Sequence, residues 1–144
     1  MTDPARRPVA CVGALVWRDD EILLVRRGKP PREGQWSIPG GRIEFGELMR
    51  YAAAREVREE TGCEVEIAHL CDVVDSVEEG IHAVLVDFNA RWVSGEPVAG
   101  DDAAEARFVK FDEIRDYVTW AETLRVIRLS AKQMGISSAG SSSV

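Results

Sequence analysis

Cysteine is scarce in this chain of 144 residues and forms no recognisable framework. Its three cysteines, Cys11, Cys63 and Cys71, suggest no set of paired disulfides and include no C-x-x-C metal motif. An odd, sparse cysteine content is typical of a reducing compartment. The chain also begins without an apolar leader segment, so we expect a cytoplasmic protein.

Long apolar runs and an excess of positive charge are missing as well. The apolar stretch at residues 9–17 is far shorter than the roughly 20 residues that a membrane-spanning helix needs. The net charge is −7, with 25 acidic against 18 basic residues, whereas a nucleic-acid-binding domain normally carries a basic patch. We therefore expect neither a membrane nor a nucleic acid as a partner.

The order of apolar segments predicts a mixed α+β domain. Residues 9–17 and 22–25 are apolar runs separated by a polar turn, which predicts a hairpin. Residues 48–61 lack glycine and proline and precede Gly62, which predicts a helix with a glycine cap. Strands are expected at 64–75, 81–92 and 106–111, a loop at 94–105, and helices at 111–118 and 119–134. Residues 1–134 should form one domain and 135–144 a disordered Ser/Gly-rich tail.

Three glutamates crowd one arc of the predicted helix. Glu56, Glu59 and Glu60 are three or four residues apart, so their side chains share a face and repel one another. A hard divalent cation, Mg²⁺ or Mn²⁺, would offset that repulsion. Arg55, four residues before Glu59, is placed to hold one carboxylate. Taken alone, such a run is more often a solvated, salt-bridged helix face.

The longer spacing around these glutamates is far more specific. The string GRIEFGELMRYAAAREVREETGC has the form Gly-x5-Glu-x7-Arg-Glu-aliphatic-x-Glu-Glu-x-Gly-aliphatic, which resembles the signature box of the Nudix hydrolases. Eight of the nine specified positions match, and the exception is Cys63, which can pack as a small apolar side chain. A chance match at one starting position is on the order of one in 10⁹ from average residue frequencies.

The resemblance implies a fold, a reaction and a set of site residues. The fold would be the Nudix α/β/α sandwich around a mixed β-sheet. The reaction would be Mg²⁺-dependent cleavage of a nucleoside diphosphate linked to another moiety. At matching positions, the Gly40 carbonyl, Glu56, Glu59 and Glu60 would hold metal, with Glu56 a candidate base; Glu47 and Arg55 would orient them. A homodimer is a further expectation from the family.

The substrate is less well defined than the reaction. Residues 9–115 resemble a bacterial subgroup often labelled ADP-ribose pyrophosphatase, which favours ADP-ribose, split into AMP and ribose 5-phosphate. Residues 77–79 lack the proline that better-defined ADP-ribose enzymes carry about there, so a house-cleaning (d)NTP pyrophosphatase is the alternative. A non-catalytic nucleotide-sugar sensor is a third hypothesis, which the complete set of box acids disfavours.

Several residues outside the box are weaker candidates. Glu105, in the predicted loop, is a candidate additional catalytic acid. Arg42 follows the glycine turn and is a candidate phosphate ligand, while Trp36 and His82 are candidate contacts to the base or sugar. Each also has an ordinary structural explanation. The apolar stripe of Trp120, Leu124 and Ile127 is assigned to core packing.

Overall fold

The computed structural model describes residues 6–30, 32–78 and 80–137. The predicted tail at 135–144 lies largely outside these residues, and its disorder stays a prediction. In chain order the elements are β1 (Val9–Arg18), β2 (Glu21–Arg27), β3 (Trp36–Ser37), β4 (Gly40–Arg42), α1 (Met49–Thr61), β5 (Glu64–Glu78), β6 (Ile81–Ser94), β7 (Ala103–Lys110), a 3₁₀ helix (Phe111–Asp116) and α2 (Ala121–Met134).

The strands form one mixed sheet with the order β3-β2-β1-β6-β5, to which β4 and β7 add by pairing with β1 and β2. The β1–β6 pair is parallel and runs from Val9↔Ala83 to Trp17↔Arg91. The other pairings in the described chain are antiparallel. Because β1 is central, its residues 12–17 are buried on both faces, as the apolar run predicts.

The two helices cover opposite faces of the sheet. Alternate β1 residues point to opposite sides, so Ala14 and Val16 pack with Val57 of α1. Leu15 and Trp17 instead pack with Ile127 of α2. This arrangement confirms the predicted α/β/α sandwich around a mixed sheet.

A buried polar chain ties α2 to the sheet. The Trp17 indole N–H donates to Ser130 Oγ at 2.8 Å, and the Ser130 hydroxyl donates to Asn89 Oδ1 at 2.5 Å. Both Ser130 and Asn89 are completely buried. Each link satisfies a group that would otherwise be costly to bury, so the chain specifies how α2 sits on the sheet.

The structure corrects some boundaries. Gly40 and Gly41, predicted to form a turn with Pro39, belong with Arg42 to β4, because the backbone of residues 40–42 pairs with residues 11–13 of β1. β7 begins at Ala103 inside the predicted 94–105 loop, since residues 103–110 pair with β2. Residues 111–116 form a 3₁₀ helix. None of the described helices is long and apolar enough to cross a membrane.

Candidate metal and diphosphate site

Helix α1 presents the predicted glutamates next to the β4 backbone. The helix ends at Gly62, whose φ of 74° lies in the left-handed region that favours glycine, and whose amide N–H donates to the Arg58 carbonyl. Ala52, Ala53 and Val57 bury one face against the sheet. The acidic residues on the neighbouring faces are therefore held at the edge of the core rather than in open solvent.

Arg55 is the hub of this acidic cluster. Its guanidinium donates two hydrogen bonds to the Glu47 carboxylate, at 2.6 Å and 2.8 Å. It also donates to Glu56 at 2.9 Å and to Glu59 at 3.1 Å. A further N–H donates to the Arg42 carbonyl at 3.1 Å, which ties the helix to β4. These contacts link Arg55 and Glu47 to the acidic side chains, and the orienting roles of the two residues stay a prediction.

The charges of Arg55 and Glu47 shift each other's pKa values. The Arg55 guanidinium, together with the Glu44 amide N–H, lowers the pKa of Glu47 to about 2. The same carboxylate raises the already high pKa of Arg55. Glu47 therefore stays ionised across the physiological range, and its bidentate bond to Arg55 holds the guanidinium in one orientation.

Glu56 and Glu60 meet on the inner side of the cluster. The two side chains share a hydrogen bond, and the Gly40 amide donates to Glu60. Burial raises the pKa of both groups; the charge of Glu56 raises that of Glu60 further, while Arg55 lowers that of Glu56. Two adjoining half-buried carboxyl groups repel each other when both are ionised, and a bound cation would relieve that repulsion.

Gly41 leaves room for this pair. A Cβ atom built on Gly41 would lie 2.6 Å from the carboxyl carbon of Glu56, far inside van der Waals contact. The absence of a side chain therefore lets the β4 backbone approach the carboxylates directly. This close approach gives a physical reason for the glycine at the first position of the box.

A cavity of about 360 Å³ opens beside the carboxylates. Glu56 and Glu60 line it together with the backbone of Gly40 and Gly41. Its basic lining residues are Arg26, Arg27, Lys29 and Arg42. A cavity with carboxylates on one wall and guanidinium groups on another can hold a cation and the phosphate oxygens that bind it.

A second cavity of about 450 Å³ adjoins the first. The two share lining residues, including Arg27, Gly40, Gly41 and Arg42. Its walls combine apolar residues such as Ile38, Leu85 and Val126 with charged residues such as Arg32, Glu78 and Glu122, and Trp120 lines it as well. The two cavities form one cleft, and we call the smaller one the charged compartment and the larger, less polar one the apolar compartment.

Two of the three predicted metal-binding glutamates come together. Glu56 and Glu60 share the cavity wall, whereas the Glu59 side chain is 43% exposed and bonded to Arg55. Within residues 6–30, 32–78 and 80–137, no three ligating side chains already converge on one point. A hard cation usually takes one or two carboxylates and completes its shell with water and substrate, so the residues present fit Mg²⁺ or Mn²⁺.

The weaker candidates are placed unevenly. Arg42 lines both cavities. Glu105 lies in β7 rather than in a loop, and its carboxylate pairs with Arg26 at 3.4 Å. His82 contacts Asp75 at 3.3 Å, while its neighbours Ile81 and Ala83 line the larger cavity. Because strand side chains alternate, His82 faces away from that cavity.

Trp36 and Trp120 are the two tryptophans considered from the sequence. Trp36 takes the structural alternative to substrate binding, whereas Trp120 differs from its expected core role. Trp36 packs edge-on against Tyr117 with ring centroids 5.3 Å apart, and it belongs to the margin of the α2-side core. Trp120, assigned from sequence to the core stripe, instead precedes α2, lines the larger cavity and carries the Arg32 guanidinium over its ring at 5.1 Å. The core assignment of Trp120 is therefore corrected.

Asp87 is a candidate that the sequence reasoning missed. It lies in β6, is only 5% exposed and lines the larger cavity. Burial raises its pKa to about 7, with a smaller upward effect from Asp72 and a downward effect from Arg125. The available signal was a single acid within the apolar run AVLVDFNA, which is unusual for a buried strand.

Comparisons with known proteins agree with this geometry. A model of the NUDIX domain matches residues 7–129. The chain is 34% identical to the ADP-ribose pyrophosphatase of Methanocaldococcus jannaschii over 126 residues, 78% of this chain and 75% of that protein. It is 26% identical over 146 aligned positions to an 8-oxo-(d)GTP phosphatase of Mycolicibacterium smegmatis, covering 92% and 44%. The structure of a MutT NUDIX hydrolase from Burkholderia pseudomallei superposes with a TM-score of 0.78 at 30% identity, covering 86% and 98%.

Proposed function

This chain belongs to the Nudix hydrolase family, and we propose that it cleaves ADP-ribose to AMP and ribose 5-phosphate with a bound divalent cation. The observation that carries the proposal is the position of the Glu56–Glu60 pair. It lies against the Gly40–Gly41 backbone on the wall of an arginine-lined cavity, and that cavity opens into an apolar one.

The chain's own residues divide the work between binding and orientation. Glu56, Glu59 and Glu60, with the Gly40 carbonyl, would hold the metal. Arg42 would bind phosphate oxygens, since it lines both compartments of the cleft. Arg55 restrains Glu56 and Glu59 and is itself restrained by Glu47.

Mg²⁺ or Mn²⁺, when bound, polarises phosphoryl oxygens and lowers the pKa of a coordinated water. Glu56 is the proposed base, because its side chain lines the charged compartment and a hydrogen bond from Arg55 restrains its carboxylate. Glu105 stays a candidate second acid, and its carboxylate pairs with Arg26 of the cavity lining.

A (d)NTP is the second candidate substrate. The similarity to an 8-oxo-(d)GTP phosphatase favours it. Both substrates present a diphosphate to the same carboxylates, so the box does not discriminate between them. The sequence candidates for recognising the rest of the substrate are Trp36, His82 and residues 94–105. Trp36 and His82 line neither cavity, whereas Asp102, within residues 94–105, lines both, so discrimination is better sought at Asp102 and in the apolar compartment.

The test is a phosphate-release assay over ADP-ribose, sugar nucleotides, dinucleotides and dNTPs. We expect ADP-ribose to give the highest kcat/KM, activity to vanish with chelator, and Mg²⁺ or Mn²⁺ to restore it. Glu56→Gln should lower kcat by several powers of ten. Glu66→Gln is a matched control, because Glu66 lies on β5 outside both cavities. A kcat/KM for ADP-ribose below that of every dNTP would transfer the assignment to the second candidate.

Location and assembly complete the proposal. The sparse, unpaired cysteines support a cytoplasmic location. The acidic net charge of −7 supports a small nucleotide rather than a nucleic acid as the partner. A homodimer remains a family-level prediction, which size-exclusion chromatography with light scattering would test.

A further inference from the structure

The side chain of Asp87 lines the larger cavity and has no hydrogen-bond partner among the described residues. Its residue is 5% exposed, and no described residue donates a hydrogen bond to its side chain. The great majority of buried polar groups in folded proteins are hydrogen-bonded, because leaving one unpaired costs free energy. An orphaned acid is therefore a feature that a purely structural role does not explain.

The neighbourhood of Asp87 makes room for this acid. A Cβ atom on Gly13 would lie 2.4 Å from Oδ1 of Asp87 and 2.9 Å from Cδ1 of Ile38. Gly13 thus allows a carboxyl group and an apolar side chain to meet over the bare β1 backbone. Both side chains line the larger cavity, so the acid can be reached from it.

The position of the cavity relates Asp87 to the reaction. The larger cavity shares the lining residues Gly40, Gly41 and Arg42 with the charged compartment. A nucleotide whose phosphates occupy the charged compartment would place its nucleoside in the apolar one. The apolar part of this lining, which includes Ile38, Leu85 and Val126, suits the faces of a heteroaromatic base, and Asp87 adds a buried hydrogen-bonding group beside it.

We propose that Asp87 is the base-recognising residue, and that it accepts hydrogen bonds from the N–H donors on the edge of a purine seated in this cavity. The inference rests on the proposed function for the position of the phosphates. Ser76 and Thr123 are the other buried polar side chains on this lining among the described residues, and both are neutral, so the Asp87 carboxyl group should dominate the choice of base.

Binding of nucleoside monophosphates tests the proposal without turnover. AMP has an exocyclic amino group, and purine riboside 5′-monophosphate is the same molecule without it. By calorimetry in Mg²⁺-containing buffer, Asp87→Leu should weaken AMP binding roughly 10- to 100-fold, the usual effect of losing a buried hydrogen bond to an ionisable group. The purine riboside nucleotide should change less than about threefold.

Two further variants separate hydrogen bonding from packing. Asp87→Asn keeps one acceptor and adds a donor, the pair that complements adenine, so it should restore AMP binding to within about threefold of wild type. It should weaken GMP, which offers adjacent donors. Glu66→Gln is the matched control, because Glu66 also lies on β5 but outside the cavity lining, and it should leave all affinities unchanged.

The outcomes distinguish this inference from the proposed function. Unchanged affinities of both AMP and GMP in Asp87→Leu would overturn the role of Asp87, even if the wild-type enzyme cleaves ADP-ribose. A loss of AMP or GMP affinity that purine riboside 5′-monophosphate does not share supports that role, and an equal loss for all three nucleotides would overturn it. Should the wild-type protein bind in this way yet hydrolyse no nucleoside diphosphate derivative, the proposed function would fail while the base site stands.

Discussion

The orphaned carboxyl group of Asp87 predicts a specific pH dependence of stability. Burial raises the pKa of Asp87 in the folded chain to about 7 from an ordinary value of 3.8. Below pH 3.8 both the folded and the unfolded chain hold the proton, and the group costs nothing. As the pH rises toward 7 the unfolded chain loses its proton first, which favours unfolding. Above pH 7 both states are ionised and the cost is complete.

The size of this loss of stability follows from the difference between the pKa of Asp87 in the folded and the unfolded chain. About 3 pKa units, at about 1.4 kcal/mol each, give a cost on the order of 4 kcal/mol above pH 7. Asp87→Asn removes the titration and leaves a buried amide, whose own desolvation of roughly 1–3 kcal/mol does not vary with pH. The free energy of unfolding of the variant minus that of wild type should therefore rise by roughly 4 kcal/mol between pH 4 and pH 8.

Equilibrium urea unfolding, followed by tryptophan fluorescence at pH 4, 5, 6, 7 and 8, measures this difference. Glu66→Gln, on β5 outside both cavities, is the control for removing any negative charge from an acidic protein. It should not reproduce the rise of roughly 4 kcal/mol expected for Asp87→Asn. A stability difference for Asp87→Asn that stays constant from pH 4 to pH 8 would refute the buried-acid reasoning.

Three other outcomes are expected. Millimolar Mg²⁺ should raise the melting temperature of the wild-type protein, because the ion binds only the folded state. Glu60→Gln should raise the metal-free melting temperature slightly and abolish the Mg²⁺ response. An unchanged Mg²⁺ response in this variant would remove Glu60 from the metal site. Glu105→Gln should lower kcat far more than it raises KM if Glu105 acts in the chemistry, and a changed KM with unchanged kcat would make it a pocket residue. Ser130→Ala should cost roughly 2–4 kcal/mol in urea unfolding, because it leaves Trp17 N–H and Asn89 Oδ1 without their buried partner, and a loss below about 1 kcal/mol would contradict that account.

The sequence alone determined the parts of this protein that depend on local spacing. Helix α1 and its Gly62 cap follow from helix propensity and the left-handed tolerance of glycine, and both are confirmed. Helical geometry places Glu56, Glu59 and Glu60 on one arc before any packing is considered. The central strand β1 could also be predicted from the sequence, because a strand buried on both faces must be almost continuously apolar.

Tertiary structure decided which side chains meet and which lose their water. β4 and the start of β7 carry no strand propensity of their own, and they form because β1 and β2 offer unpaired backbone groups. Trp120 has the spacing of a core residue, yet it reaches a cavity because the chain turns just before α2. Asp87 is an ordinary acid in the sequence, and only the elements that cover it make it a buried, unpartnered one. Desolvation depends on everything that surrounds a group, and local spacing does not contain that information.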